Sequence, residues 1–269
     1  MDQLSLAGVG LRLGIFVGVL LVMSSLEAIW PRRTRTQKRP GRWLTNMGLV
    51  LINSFALRFM GPIGAVFAAG LASINGWGLL NQFALPFYLN ILISVMLLDL
   101  AVYAQHVISH KVPLFWRLHK VHHADRDVDA TTGVRFHPVE AMLSMVYKSA
   151  IVLLLGPAAL AVVVFEVVLN ASAMFNHANL KLPKSLDKLL RTVFVTPDMH
   201  SVHHSVIPHE TDSNYGFFLS IWDKLFGTYT AKPSLTPDKI HIGLNEYQTD
   251  NPSSLGWSLV LPFRAMNKS

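Results

Sequence analysis

The chain has 269 residues, 51% of them hydrophobic and only 14% charged, with a mean hydropathy of +0.38. A soluble domain of this length carries more charge and shorter apolar runs, so the composition excludes an ordinary water-soluble protein. The absence of cysteine excludes disulfides, iron–sulfur clusters and thiolate-ligated haem.

The apolar residues come in blocks at 4–30, 43–72, 84–104 and 141–176, each long enough to enter a bilayer, which takes about 20 residues. The first lacks a basic leader and an A-x-A-like cleavage site, so a retained helix is expected rather than a signal peptide. Gly10, Gly14 and Gly18 lie on one face of it, a pattern that predicts close helix packing. Arg32, Arg33, Arg35, Lys38, Arg39 and Arg42 crowd the next loop, whereas "SINGWGLLNQF" at 73–83 has no Lys or Arg. This positive-inside asymmetry places the N-terminus outside and residues 31–42 in the cytoplasm. It also explains the net charge of +7 without a nucleic-acid partner. The 43–72 block is expected to cross outward, with Arg58 predicting a kink or a partly re-entrant course, and 84–104 to cross back.

The block 141–176 would make a single helix roughly 54 Å long, against a hydrocarbon core of about 30 Å. Gly156–Pro157 near its middle breaks a helix. A tight helical hairpin that returns to the side it left is therefore expected. Beyond it, "TPDMH" at 196–200 reads as a helix start, with Thr196 as cap and Pro197 in first position. "SSLGWSLVLPF" at 253–263 is too short to span and is expected on the membrane surface. The predicted architecture is all-α: about four membrane helices and a cytosolic helical cap, in one domain over residues 1–269.

All twelve histidines lie from His106 onward. "HKVHH" at 119–123 returns as "HSVHH" at 200–204, and His106 and His110 precede them at a four-residue spacing. On a helix, i, i+3 and i+4 share one face, so each box aims imidazoles in one direction. Eight aligned histidines, His106, His110, His119, His122, His123, His200, His203 and His204, exceed what one ion takes but suit two neighbouring ions. His177 and His137 are the expected additional ligands, although Pro138 makes a plain turn an equal reading of His137. His209 and His241 read as surface or hydrogen-bonded residues. All-nitrogen ligation suits zinc, copper, iron or nickel, and a structural zinc site would close with four ligands. So many nitrogens on one membrane face, without cysteine, point to a pair of irons activating O2. Acidic partners should orient the rings. Asp99, Tyr103, His106 and His110 form one helical stripe, which makes Asp99 and Tyr103 candidates. Asp198 and Glu140 are further candidates, with capping or surface charge as the alternative.

The three boxes, together with "NYGFFLSIWDKLFGTY" at 214–229, resemble the fatty acid hydroxylase/sterol desaturase superfamily over about residues 84–230. "RFHPVE" and "FNHANL" look most like its bacterial and alkylglycerol-monooxygenase-like branches. The resemblance implies a membrane di-iron enzyme that uses O2 and two external electrons to hydroxylate or desaturate a lipid, with the eight box histidines as ligands. It also implies a separate reductase or electron carrier, since no dinucleotide or haem motif is present. The membrane would be the inner membrane of a bacterium or the endoplasmic reticulum of a eukaryote, with the metal site on the cytoplasmic face. The pattern departs from fatty acid 2-hydroxylases at one place. Their further H-x-x-x-H is represented here by His177 alone, with Lys181 four residues on, and His137 is expected to fill the vacancy. The rival class is a membrane metal transporter or storage protein. It would require ionisable residues along a path through the bilayer, and the apolar blocks offer only Arg12, Glu27, Arg58, Asp99, Lys148 and Glu166.

Overall fold

A computed structural model describes residues 3–61, 64–236 and 239–264. Among them the chain is helical, and three isolated β-bridges are the only strand-like pairing. The first helix, α1 (Gln3–Ile29), is followed by α2 (Arg39–Phe59), α3 (Ala65–Asn75), α4 (Phe87–Lys111), α5 (Pro113–His123), α6 (Pro138–Leu155) and α7 (Ala159–Asn176). Among the described residues, four segments are long and apolar enough to cross a membrane: Gly10–Ile29 of α1, and α4, α6 and α7. Large apolar side chains such as Leu21, Leu92 and Leu154 point outward from them, as lipid-facing positions do.

The four spans are not the four apolar blocks. The 141–176 block supplies two of them, α6 and α7, each 18 residues or about 27 Å long. They are joined at Gly156, which ends α6 in the left-handed conformation (φ 64°), before Pro157. Gly156 lies directly against the backbone of Gly78 (φ 94°), so the loop after α3 closes the far end where no side chain would fit. Helices α6 and α7 return to the same end as expected, but they pack on α3 and α4 rather than tightly on each other.

Among the described residues the 43–72 block supplies no single helix long and apolar enough to cross, and it breaks next to Arg58. Its helix stops after Phe59 and turns at Gly61 (φ 69°). Pro62 and Ile63 lie outside the described residues. The polar residues Arg42, Asn46 and Asn53 of α2 are buried against the loop 125–136. The short α3 then packs on α6 and α7 and reaches the far end. Two helices thus make the traverse expected of one.

One end of the bundle gathers the chemistry. Glu27 at the end of α1 accepts hydrogen bonds from the amides of Ala130 (2.7 Å) and Asn179 (2.9 Å). The same end carries the last turn of α4, the first of α6 and the last of α7. Over it sit α5 and the short helices α8 (Lys184–Leu190), α9 (Pro197–His203), α10 (Pro208–Thr211), α11 (Ile221–Leu225) and α12 (Leu255–Val260). Helix α9 starts as expected, with the Thr196 hydroxyl accepting from the Met199 amide. In α12 and the turn after it, Trp257 and Leu261 pack with Leu49 and Val121, while Val260 and Phe263 remain exposed. The glycine stripe of α1 does not behave as its spacing predicts. A Cβ at Gly10, Gly14 or Gly18 would meet nothing within 4 Å, so no described element packs closely on that face.

Candidate metal centre

Helix α4 brings in His106 and His110, α5 brings His119, His122 and His123, α7 ends at His177, and α9 brings His200 and His203, with His204 next to it. These nine rings form two groups. His106, His110, His119, His123 and His203 make one; His122, His177, His200 and His204 make the other. Within each group the ligand nitrogens lie within 4.8 Å of one another. Donors on a common ion about 2.1 Å away lie up to about 4.2 Å apart. The groups abut, with the His123 and His204 rings stacked at 4.5 Å.

Helical geometry divides each H-x-x-H-H box between the groups. Residues i and i+4 point almost the same way, whereas i+3 and i+4 diverge by about 100°. His119 and His123 therefore enter the first group and His122 the second. Helix α9 does the reverse, sending His200 and His204 to the second and His203 to the first. The box was expected to aim its rings together; the structure makes it a bridge.

The ring tautomers follow from the partners, because a carbonyl or carboxylate oxygen only accepts. His106 Nδ1 donates to the Tyr215 carbonyl (2.7 Å), His119 Nδ1 to Glu140 (2.6 Å), His122 Nδ1 to the Arg135 carbonyl (3.3 Å), His177 Nδ1 to the Ala173 carbonyl (2.6 Å) and His203 Nδ1 to the Ser213 carbonyl (2.7 Å). Each of these rings then presents an Nε2 lone pair inward, the arrangement by which proteins orient metal-ligating histidines. Two such lone pairs face each other at 3.1 Å between His106 and His119, and at 3.0 Å between His122 and His177. Facing lone pairs repel unless a proton or cation lies between them.

A proton does not suit the second pair. Burial and the surrounding imidazoles push His122 well below the ordinary histidine range, and burial pushes His177 down to about 4. The same causes lower His123, His200 and His204, and burial takes His203 to about 3. These lowered values favour the neutral form of His122, His123, His177, His200, His203 and His204, the form that binds metals. Seven further ring nitrogens, including both of His123 and His204, are buried without a hydrogen-bond partner, which is costly unless something binds them. The donor set fits two transition-metal ions.

His137 stands outside both groups. Its Nδ1 caps α6 by accepting from the Val139 amide (3.2 Å), and its Nε2 meets the Leu259 carbonyl (3.2 Å), so both nitrogens are used. Of the acidic candidates, Glu140 alone touches a ring in the groups. Asp99 accepts from Trp222 Nε1 (2.8 Å) and the Leu219 amide (3.1 Å). It shares a helix face with His106 but lies about 10 Å from it along the axis. The Tyr103 hydroxyl meets Thr228 (2.8 Å), and Asp198 pairs with Arg32 (2.8 Å); neither residue is brought to the histidines. Asp212, 3.5 Å from His110 Nδ1, was not anticipated.

A second set also escaped the sequence reading. Arg42 clasps Asp125 with two nitrogens (2.7 and 2.8 Å) and Asp129 with a third (2.8 Å), all buried. Arg135, fully buried, ties Val121, Asn46 and Pro252 together, while its own carbonyl orients His122. The alternating aspartates of "HHADRDVDATTGVR" were the available signal. Their partner Arg42 is more than 80 residues away, so nothing local marked it.

The histidine end opens on a cavity of about 280 Å³ between the helices, with His106, His119 and Glu140 in its wall beside Val50, Val102 and Phe217. The fatty acid hydroxylase family model matches residues 91–228, a stretch that contains all nine histidines and Glu140. The chain belongs to the fatty acid hydroxylase family. Among its relatives in that family is the ornithine lipid hydroxylase OlsE of Rhizobium tropici, 23% identical over 86% of this chain and 70% of its own length. Alkylglycerol monooxygenase of Danio rerio is 31% identical, and cholesterol 25-hydroxylase of Rattus norvegicus 29%, each over 54% of this chain. The match covers 31% and 48% of those two proteins, so the chain spans half or less of their length. No solved structure matches the chain significantly.

Within the hydroxylase-family region, the Glu140–His119 contact makes a direct prediction. Glu140→Gln keeps the shape but removes the charge that orients the ring. It is expected to lower metal affinity about 10- to 100-fold, measured by competition with a chelator of known affinity. Unchanged affinity would reduce Glu140 to a helix-end charge.

Proposed function

We propose that the chain is a membrane di-iron oxygenase that inserts one oxygen atom of O2 into a C–H bond of a lipid. The observation that carries this reading is the pair of abutting groups of buried imidazoles opening onto an apolar cavity between candidate membrane helices. The names of the relatives, all hydroxylases or monooxygenases, support the same reaction class.

The nine histidines hold the ions, and the carbonyls of Arg135, Ala173, Ser213 and Tyr215, with Glu140, hold the rings. Bound iron supplies the oxidising power that an unactivated C–H bond requires. The cavity positions the lipid chain beside His106 and His119, and its apolar walls exclude water. In the balanced reaction the lipid gains one oxygen atom. The other leaves as water, with two electrons and two protons from a donor. Loss of a second hydrogen instead of oxygen insertion would give an alkene. A separate reductase or small carrier delivers the electrons, and the net charge of +7 favours an acidic one. Residues 31–42 and the histidines share one end of the bundle, which the positive-inside rule assigns to the cytoplasm.

Expression in a host lacking the protein, under 18O2, with lipid mass spectrometry tests the reading. A lipid class carrying one 18O atom is expected with wild type and not with His122→Ala. Iron-loaded protein that leaves every lipid unchanged, or that moves metal into vesicles without consuming O2, would overturn it.

A further inference from the structure

The cavity beside His106 and His119 does not end at the histidines. It meets a second cavity of about 400 Å³, lined by Arg12 and Glu166. Lys148, Asn170 and Phe16 belong to both walls, so Lys148 stands at the junction. Helix α6 lays Glu140, Ser144 and Lys148 along the first cavity. Glu140, which touches His119, and Lys148 are eight residues apart, about 12 Å along the helix.

The charges around the junction do not balance. Arg12 and Glu166 pair at 3.0 Å. Among the described residues Lys148 has no carboxylate within ion-pair distance and no hydrogen bond, although its stem lies inside the span Pro138–Leu155. The neighbouring walls are Phe16, Leu57, Met145 and Leu169. A cation held at this depth among apolar side chains is costly unless an anion meets it. Beside it, the Asn170 amide donates one hydrogen to the Glu166 carbonyl (2.8 Å), leaving its second hydrogen for another acceptor. The Arg12–Glu166 pair lines the outer cavity and gives a charged group a polar approach.

We propose that Lys148, with the Asn170 amide, binds an anionic group of the lipid, a carboxylate or a phosphate, and so sets which carbon lies beside the histidines. This rests on the reading above that the cavity holds the lipid. The bound chain then runs about 12 Å from its anionic end to the wall of His106 and His119. The substrate class is a singly anchored anionic lipid, and chain position is measured from the charge.

Equilibrium binding to the metal-loaded 269-residue chain, under anaerobic conditions in detergent, tests this with three probes: palmitate, hexadecyl phosphate and methyl palmitate. Wild type and Lys148→Arg are expected to prefer at least one anionic probe over the ester by about tenfold or more. Lys148→Met and Lys148→Gln are expected to bind all three within about threefold of the ester. The ranking of palmitate and hexadecyl phosphate in wild type tells carboxylate from phosphate. No anionic preference in wild type, or its retention in Lys148→Met or Lys148→Gln, overturns the proposal. So does loss of ester binding in both variants, which would make Lys148 a structural residue. Anionic preference without 18O products would sink the oxygenase reading alone; products without preference would sink this one alone.

Discussion

His122→Ala is expected to reduce the metal content of the purified protein from two equivalents to one and to cut lipid oxidation by more than about 100-fold, since losing even a ligand's hydrogen-bond partner costs 10–100-fold. His122 belongs to the group of four, which would keep only His177, His200 and His204. The same change also removes the ring whose Nε2 faces that of His177 at 3.0 Å. His123→Ala makes the comparison, because its group of five would still hold four rings. It is expected to keep two equivalents at saturating metal and to lose less affinity. Elemental analysis of both proteins against wild type checks the asymmetry. Equal loss from the two variants would mean that the groups do not act as separate ion sites.

Asp125→Asn is expected to destabilise the fold by about 3–5 kcal/mol, the cost of breaking a buried ion pair by removing one partner. Arg42 would keep Asp129 at 2.8 Å but lose its two-pronged contact with Asp125. The loop 125–136, whose Arg135 carbonyl orients His122, would loosen with it. The pH dependence has a definite sign. Arg42 holds the Asp125 carboxyl well below the usual carboxylate range, despite burial that opposes ionisation. A lowered carboxylate pKa contributes stability above the unfolded value, about 3.9, and that contribution is lost as the pH falls below it. The stability gap between wild type and Asp125→Asn should therefore be full at pH 6–7 and narrow below about pH 4. Denaturant unfolding in micelles at several pH values measures it. A gap that stayed constant down to pH 3 would remove the ion pair from the account.

Much of this molecule was legible as a string. Apolar length set against bilayer thickness found the membrane character. Gly156–Pro157 located the hairpin because a broken helix and a left-handed turn are local events. Thr196 and Pro197 marked the start of α9 for the same reason. The histidine spacings identified eight rings on helical faces, and His177 joined them.

Other assignments turned on packing. The 43–72 block had the length of a crossing helix, yet Arg42, Asn46 and Asn53 are buried against the loop 125–136, and the helix breaks beyond Phe59. Asp99 shared the stripe of His106, but an axial offset of about 10 Å gives it to Trp222 instead. His137 had the right residue type and the wrong neighbours, a helix start and the Leu259 carbonyl.

The sequence alone determined that this chain is helical, with segments long and apolar enough to span a membrane and histidines spaced to form a candidate metal centre, because helix period, apolar length and box spacing are properties of short stretches. Only the tertiary structure decided how the rings divide into five and four, that Glu140 rather than Asp99 or Asp198 meets one of them, and that Arg42 braces the site from a distant helix. Helix period already separates His122 from His119 and His123, and His203 from His200 and His204, but which rings of separate helices join them depends on which faces meet and at what height, and no local spacing encodes that.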